Sequence, residues 1–195
     1  MRVIVTARQA LTPIYMNILN HLTKILTEIS KNPSNPKFNH FTFESISALV
    51  RFITAGNPST LSEFENALFP PFHTILSQDV SEFTPFVFQI LSQLLETHAS
   101  NEFPESYKVL LPPMLTPTLW ESRGNIPALV RLLRAFLSRG AQEIVAAGQL
   151  QPMLGVFQHL VNSRANDQYG FELIEAIVEF VPMYVCQQHL FSQVN

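Results

Sequence analysis

The chain has 195 residues, of which 47% are hydrophobic and only 14% are charged, and its formal net charge is −3 with a pI near 6.0. Soluble domains usually carry about 25% charged residues, so this composition predicts a surface with large uncharged areas. A weakly acidic chain without a basic stripe argues against nucleic acid as the main partner.

Features of secreted and membrane proteins are missing from the sequence. Cys186 is the only cysteine, which excludes an internal disulfide and a cysteine-based zinc site. The first ten residues carry Arg2 and Arg8 but lack the apolar segment of a signal peptide. No run of about 18 apolar residues occurs, so we expect a soluble, intracellular chain without membrane insertion.

Two helices are predicted at the start of the chain, where apolar residues recur with a helical period. The first helix begins at Thr12, which is followed by a proline, and continues to Ile29. In the connection that follows, Pro33 and Pro36 are expected to end this helix and keep the turn extended. Asn39 is then expected to cap the second helix.

The third and fourth helices are predicted to follow after short turns. The third begins at Asn57 and runs to Leu76, and Pro70 and Pro71 are expected to kink it. Asp79 is expected to cap the fourth helix, whose apolar face begins a few residues later.

The fifth and sixth helices are expected between residues 104 and 140. The fifth runs from Pro104 to Trp120, where the indole is expected to pack between repeats. Asn125 begins the sixth helix, and Gly140 is expected to end it as a C-cap.

The seventh helix is predicted from Ala141 to Asn162, and the eighth from Asp167 to Val181 before Pro182. Strand-like alternation of apolar and polar residues is not found. The sequence therefore predicts an all-α fold.

The helices recur at a regular spacing. The last apolar positions of the odd-numbered helices are Ile29, Leu76, Leu119 and Leu160, and they lie 47, 43 and 41 residues apart. The apolar faces of the even-numbered helices begin at Phe43, Phe83, Ile126 and Tyr169, and these lie 40, 43 and 43 residues apart. A period of about 40–47 residues is typical of HEAT and armadillo repeats.

We therefore predict a HEAT-repeat α-solenoid of about four helix pairs, at residues 12–54, 58–98, 104–139 and 141–181. Second helices of HEAT repeats often begin near Asp or Asn and carry a basic residue about six positions later. Asp79, Asn125 and Asp167 hold the first place, and Asn125 with Arg131 gives the full pair. A non-repetitive helical bundle is the alternative.

Residues that could carry chemistry do not form a catalytic or cofactor-binding set. The six histidines do not fall at metal-ligand spacing, and His40 with Glu44 lacks a third ligand. Neither a glycine-rich phosphate-binding loop nor a G-x-S-x-G elbow occurs. We therefore expect no enzymatic activity, no cofactor and no metal.

Polar residues on the second helices remain as candidates for partner binding. In stacked helix pairs such positions line an inner ridge that can contact a partner. The candidates are Arg51, Gln89, Gln93, Arg131, Arg134, Glu172 and Glu175. The alternative for each is ordinary solvation of an outward-facing helix surface.

Several long strings carry a specific family resemblance. They are "SKNPSNPKFNHFTFES", "ALFPPFHTILSQDVSEFTPFVFQILSQLLETH", "LWESRGNIPALVRLLRAFLSRG" and "GVFQHLVNSRANDQYGFELIEAIVEF". In this order they resemble consecutive segments of the importin-alpha re-exporters, the exportin-2 or cellular apoptosis susceptibility family within the importin-beta superfamily of karyopherins. The resemblance covers Arg2 to Pro182 and is carried by long strings rather than by short motifs.

The resemblance implies a HEAT-repeat export receptor that shuttles between nucleus and cytoplasm through the nuclear pore at the nuclear envelope. Such a receptor binds importin-alpha together with Ran in its GTP form and releases both after GTP hydrolysis in the cytoplasm. By resemblance the chain corresponds to about four repeats in the second half of the superhelix, so Ran contacts are expected mostly through repeats absent here. Residues 183–195 are expected to form a divergent tail, and Met1 falls where the family has an internal helix.

We therefore expect a fragment of an export receptor for importin-alpha, which binds as a scaffold without catalysis. One alternative is a truncated interaction fragment that does not transport, and another is a different importin-beta-like HEAT scaffold. A helical enzyme or ligand-binding bundle is the alternative from another class, and it would require helices packed around one central cavity.

Overall fold

The computed structural model describes residues 11–99 and 102–182, which are helical and contain no β-strand. The chain divides into two compact units, Met1–Thr97 and His98–Asn195. The predicted all-α class is confirmed.

The described part of the first unit consists of two helix pairs. Its helices are α1 (Tyr15–Lys31), α2 (Pro36–Gly56), α3 (Leu61–Ser77) and α4 (Thr84–Thr97), and a 3-10 turn at Pro58–Thr60 precedes α3. α1 packs against α2 and α3, and α4 packs against the same two helices. Phe43 of α2 lies between two aromatic rings of the second pair, 5.1 Å from Phe83 and 4.9 Å from Phe86 between centroids. Each helix pair therefore buries its apolar face against the other.

The second unit begins with three short helices. Its helices are α5 (Glu105–Lys108), α6 (Leu111–Met114), α7 (Pro117–Glu121), α8 (Ile126–Ala146), α9 (Leu150–Val161) and α10 (Asp167–Phe180). α10 packs against both α8 and α9. Trp120 is buried, and its indole nitrogen donates to the Met114 carbonyl at 2.9 Å. Its predicted role as a packing residue is confirmed within this unit.

The prediction of one continuous helix from Pro104 to Trp120 is wrong. Pro112, Pro113 and Pro117 lack the amide hydrogens that a continuous helix needs, and the helix breaks into α5, α6 and α7. Thr116, the residue before Pro117, has an extended backbone with ψ of 135°.

The start of α2 differs from the prediction. Asn35, and not Asn39, provides the cap, because its side-chain oxygen accepts from the Phe38 amide at 3.1 Å. Pro36 occupies the first turn of α2 rather than extending the connection. Asn39 is buried one turn further on, and its amide nitrogen donates to the Pro33 carbonyl at 3.0 Å.

Asp79 does not cap α4, which begins only at Thr84. Instead its φ of 51° places it in the left-handed region, just after the end of α3. The Asp79 amide donates to the Leu76 carbonyl at 3.3 Å, and the Val80 amide donates to the Ile75 carbonyl at 3.1 Å. These two bonds form a Schellman motif with Asp79 at the position usually held by glycine.

Gly140 breaks the sixth predicted helix, as expected, but with a kink instead of a C-cap. It leaves helical geometry, with φ of −143° and ψ of 35°, but α8 continues beyond this kink to Ala146. The true end is another Schellman motif, in which Gly148 has a φ of 70° and the Gln149 amide donates to Ile144 at 3.0 Å. The predicted boundary between the third and fourth helix pairs therefore falls on a kink within α8.

Asn125 lies at the N-cap position of α8, as predicted, but its side chain makes no capping bond. Its amide nitrogen donates to the Leu119 carbonyl at 3.2 Å, and the side chain is buried. The residue therefore ties the start of α8 to the segment before it instead of satisfying the helix amides.

Candidate partner-binding surface

Each unit presents the outward side of two second helices. We call the surface formed by Ser47, Arg51, Gln89 and Gln93 the α2/α4 face. We call the surface formed by Arg131, Arg134, Glu172, Glu175 and Glu179 the α8/α10 face. Together the two faces contain all seven residues that the sequence proposed for partner binding.

Two hydrogen bonds join the helices of the α2/α4 face. The Ser47 hydroxyl donates to the Gln93 side-chain oxygen at 2.7 Å, and the Gln93 side-chain nitrogen donates to the Ser47 carbonyl at 2.9 Å. Nearer the start of α2, the rings of His40 and Phe86 lie 5.8 Å apart. Both contacts join residues 46 apart in sequence, so α2 and α4 run parallel.

The other predicted residues of this face are available to solvent. Arg51 and Gln89 are exposed, and the Arg51 guanidinium carbon lies 5.0 Å from the centroid of the Phe52 ring. Gln93, in contrast, is half-buried and uses both polar atoms of its amide within the unit. Of the predicted set in the first unit, Arg51 and Gln89 are therefore the better placed for a partner.

An ion pair joins the helices of the α8/α10 face. The guanidinium of Arg134 lies 2.7 Å from a carboxylate oxygen of Glu179, and the two residues are 45 positions apart. Both side chains are nearly half exposed, so water screens the pair and it stabilises the fold by about 0–1 kcal/mol. Glu179 was not predicted from the sequence, although its one-repeat offset from Arg134 was a usable signal.

The remaining side chains of the α8/α10 face give it mixed charge. Arg131 on α8 and Glu175 on α10 are both exposed. Glu172 is half-buried, and its carboxylate accepts from the Gln168 side-chain nitrogen at 3.1 Å. A partner at this face would therefore meet basic and acidic groups side by side.

The Ser47–Gln93 and Arg134–Glu179 links hold corresponding positions. Ser47 and Arg134 are 87 residues apart, and Gln93 and Glu179 are 86 apart, which is two repeat periods in each case. The same cross-repeat position therefore carries a neutral link in the first unit and an ionic link in the second.

Metal-ligating side chains are scattered over the described part of the chain. Within residues 11–99 and 102–182, no three His, Cys, Asp or Glu side chains gather closely enough to hold a metal ion. The His40 ring lies 5.4 Å from the Phe41 ring and 5.8 Å from the Phe86 ring, between centroids. In the same residues, no helix is both long and apolar enough to cross a membrane. Cys186 lies outside the described residues.

Comparison with known proteins gives consistent matches along the chain. The family model described as "CAS/CSE protein, C-terminus" matches residues 1–194. The importin-alpha re-exporter of Schizosaccharomyces pombe is 49% identical over 177 residues, which covers 91% of this chain and 18% of that protein. Human exportin-2 is 49% identical over 177 residues, covering 90% of this chain and 18% of its own length.

A solved structure of the exportin Cse1 in its cargo-free, cytoplasmic state has a TM-score of 0.86 with this chain at 37% identity. The match covers 96% of this chain and 20% of the exportin, which confirms the predicted HEAT-repeat solenoid class. The chain thus spans about a fifth of the length of these relatives. The family match also extends through residue 194, past the start of the predicted divergent tail at 183–195, which lies outside the described residues.

Proposed function

The chain belongs to the CAS/CSE protein family, and we propose that it is part of a nuclear export receptor that binds importin-alpha together with the GTP form of Ran. In this proposal it acts as a binding scaffold without catalysis and returns importin-alpha to the cytoplasm. The main support is the 49% identity to the importin-alpha re-exporter over 91% of the chain. A different importin-beta-like scaffold does not agree with the family match.

The polar side chains on the second helices are suited to binding a partner through many individually weak contacts. In each unit buried apolar residues hold the two second helices in place, and a cross-repeat link, Ser47–Gln93 or Arg134–Glu179, joins them at the surface. The backbone that carries the neighbouring polar side chains is therefore ordered before a partner arrives, which lowers the entropy cost of association. We propose that Arg51, Gln89, Arg131, Glu172 and Glu175 supply the contacts, with Gln93 and Arg134 holding the surface in place.

The mixed charge of the α8/α10 face supports selection among partners. Charged groups at an interface contribute to orientation and association rate more than to affinity, and a like charge opposite them is costly. Arg131 and Glu175 on neighbouring helices would favour a partner with the complementary order of charges. We propose that contacts to Ran lie mostly in repeats outside this chain, and that the receptor shuttles through the nuclear pore.

A pull-down of importin-alpha tests the proposal directly. Immobilised chain is incubated with importin-alpha, with and without Ran loaded with a non-hydrolysable GTP analogue, beside the full-length Schizosaccharomyces pombe re-exporter. The proposal predicts that the full-length relative retains importin-alpha only with loaded Ran and that the chain retains a weaker, saturable amount. Failure of the relative to retain importin-alpha under either condition would contradict the family's role, and failure of the chain alone would contradict its share in binding.

A second proposal is that the 195-residue chain binds importin-alpha without transporting it and competes with longer relatives. It is motivated by the chain's span of about a fifth of those relatives and by the exposed Phe171 and Val178 on α10, which are 62% and 48% exposed. Exposed apolar side chains on a helix surface favour self-association. Sedimentation at micromolar concentration should then show oligomers, whereas a clean monomer would count against this proposal.

A further inference from the structure

A cavity of about 600 Å³ lies in the first unit, where the end of α2 meets the starts of α1 and α3. Its lining includes Tyr15, Phe52, Asn57, Ser59, Thr60 and Glu63. None of these residues was proposed for binding importin-alpha. None of the four residues that define the α2/α4 face lines the cavity. Its size falls within the range of small-ligand sites in proteins.

The carboxylate of Glu63 is held in place by a neutral donor. The Tyr15 hydroxyl donates to a Glu63 carboxylate oxygen at 2.5 Å. The Tyr15 ring is itself fixed by stacking on buried Phe64, with 5.6 Å between centroids. Burial, followed by the hydrogen bond and the charge of Glu63, raises the pKa of Tyr15 to about 12. The phenol therefore stays neutral at physiological pH, and the negative charge of Glu63 is oriented without being cancelled by it.

The end of α2 and the starts of α1 and α3 border the cavity. Ala55 and Gly56 line the cavity and lie in the last turn of the 21-residue helix α2. The carbonyl end of α2 carries a partial negative charge and has no basic side chain in its last turn, whereas the amide ends of α1 and α3 carry partial positive charges, so Glu63 is the source of negative charge in the cavity. Among the described residues that line the cavity there is also no Lys, Arg or His.

We propose that this cavity binds the guanidinium group of an arginine side chain from a partner protein. A guanidinium is planar, donates two parallel hydrogen bonds to one carboxylate, and stacks on aromatic rings. Glu63 supplies the carboxylate, the last turn of α2 supplies carbonyl groups, and Phe52 supplies a ring. The Phe52 ring already has the Arg51 guanidinium carbon 5.0 Å from its centroid, which is within the range of a cation–π contact.

Arginine fits the lining better than lysine does. An ammonium group is more strongly hydrated, lacks a flat face for the ring, and cannot place two donors on one carboxylate in a fixed geometry. A neutral side chain of the same shape would lose the attraction to Glu63. The site therefore discriminates first by charge and then by the shape of the cation.

The test is a titration of the isotopically labelled 195-residue chain with N-acetyl-arginine amide, followed by amide NMR shifts. Saturable shifts are expected at Ser59, Thr60 and Glu63. N-acetyl-citrulline amide, the neutral isostere, should bind only about threefold to tenfold more weakly, because Glu63 is exposed and water screens its ion pair. Equal binding of citrulline amide, stronger binding of N-acetyl-lysine amide, or no saturable shift with arginine amide would each overturn the proposal.

Variants of the chain show which side chains contribute to the affinity for arginine amide. Glu63→Gln should weaken arginine amide about threefold to tenfold and leave citrulline amide unchanged. Glu82→Gln, which removes an exposed carboxylate outside the cavity, is the matched control and should leave both ligands unchanged. Tyr15→Phe should weaken arginine amide less than Glu63→Gln does. Unchanged arginine affinity in a folded Glu63→Gln chain would overturn the site while leaving the export proposal untouched.

Discussion

Asn39 and Asn125 make the same hydrogen bond at equivalent places in the two units. Each side-chain amide donates to the backbone carbonyl six residues earlier, Asn39 to Pro33 at 3.0 Å and Asn125 to Leu119 at 3.2 Å. The two asparagines are 86 residues apart, which is twice the 43-residue spacing seen in the sequence, and both are buried. The bond therefore belongs to the repeat and ties the start of each second helix to the segment before it.

Removing this bond should destabilise each unit. Asn39→Ala or Asn125→Ala leaves a carbonyl without its side-chain donor and should lower the free energy of unfolding by about 1–3 kcal/mol, as urea titration would measure. Asn66→Ala is the control, because Asn66 is exposed on α3 and alanine is the better helix former. If the buried variants unfold at the same urea concentration as the control, the bond does not contribute to stability.

The two cross-repeat links should respond differently to salt. A double-mutant cycle on Arg134→Ala and Glu179→Ala should give a coupling of about 0.2–1 kcal/mol at low salt that shrinks as ions screen the pair. The same cycle on Ser47→Ala and Gln93→Ala should give about 0.5–1.5 kcal/mol, since neutral hydrogen bonds are not screened in this way. A salt-dependent coupling between Ser47 and Gln93 would contradict this assignment.

Asp79 should be replaceable by glycine with a gain in stability. A non-glycine residue in the left-handed region carries a steric cost, so Asp79→Gly should raise the free energy of unfolding by about 0.5–1 kcal/mol. Gly148→Ala is the reverse change, from glycine to a residue with a side chain, in the same left-handed conformation. Gly148 has a φ of 70° and no atom lies within 4 Å of the added Cβ, so any loss of stability comes from the backbone. Thermal unfolding should show opposite shifts for the two variants, and shifts of the same sign would refute the Schellman assignment.

Gly140→Ala should destabilise the second unit through a steric overlap. A Cβ at this position would run into the ring of Phe103, which is itself buried. We expect a loss of about 1–3 kcal/mol in urea unfolding, since overpacking of a core forces its neighbours to move. Gly155→Ala in the interior of α9 is the control, because nothing lies within 4 Å of its added Cβ. That variant should instead be stabilised by about 0.5–1 kcal/mol.

The repeat architecture could be predicted because it depends on local signals that recur. Apolar periodicity and the spacing of about 43 residues mark helices and their pairing without knowledge of distant contacts. The exact caps could not be predicted in the same way. Asn35 and Asn39 are both plausible caps by type, and only the position of the Pro33 carbonyl decides their separate roles.

Long-range packing explains the other differences. A glycine such as Gly140 can end a helix or permit close packing, and here it leaves room for the Phe103 ring, 37 residues away in sequence. The partners Ser47 and Glu179 look like ordinary helix-surface residues in the sequence. They become recognisable only when the offset of 45–46 residues between parallel helices is known.

The measurement that tests the central claim most directly is the affinity of the chain for importin-alpha in the presence of GTP-bound Ran. Equilibrium titration should show saturable binding that Glu175→Arg on the α8/α10 face weakens by about tenfold, because reversal puts a like charge against the partner. Glu121→Arg, at an exposed carboxylate on α7, should leave the affinity unchanged. Absence of saturable binding, or equal affinities for the two folded variants, would contradict the claim that the second-helix faces bind importin-alpha.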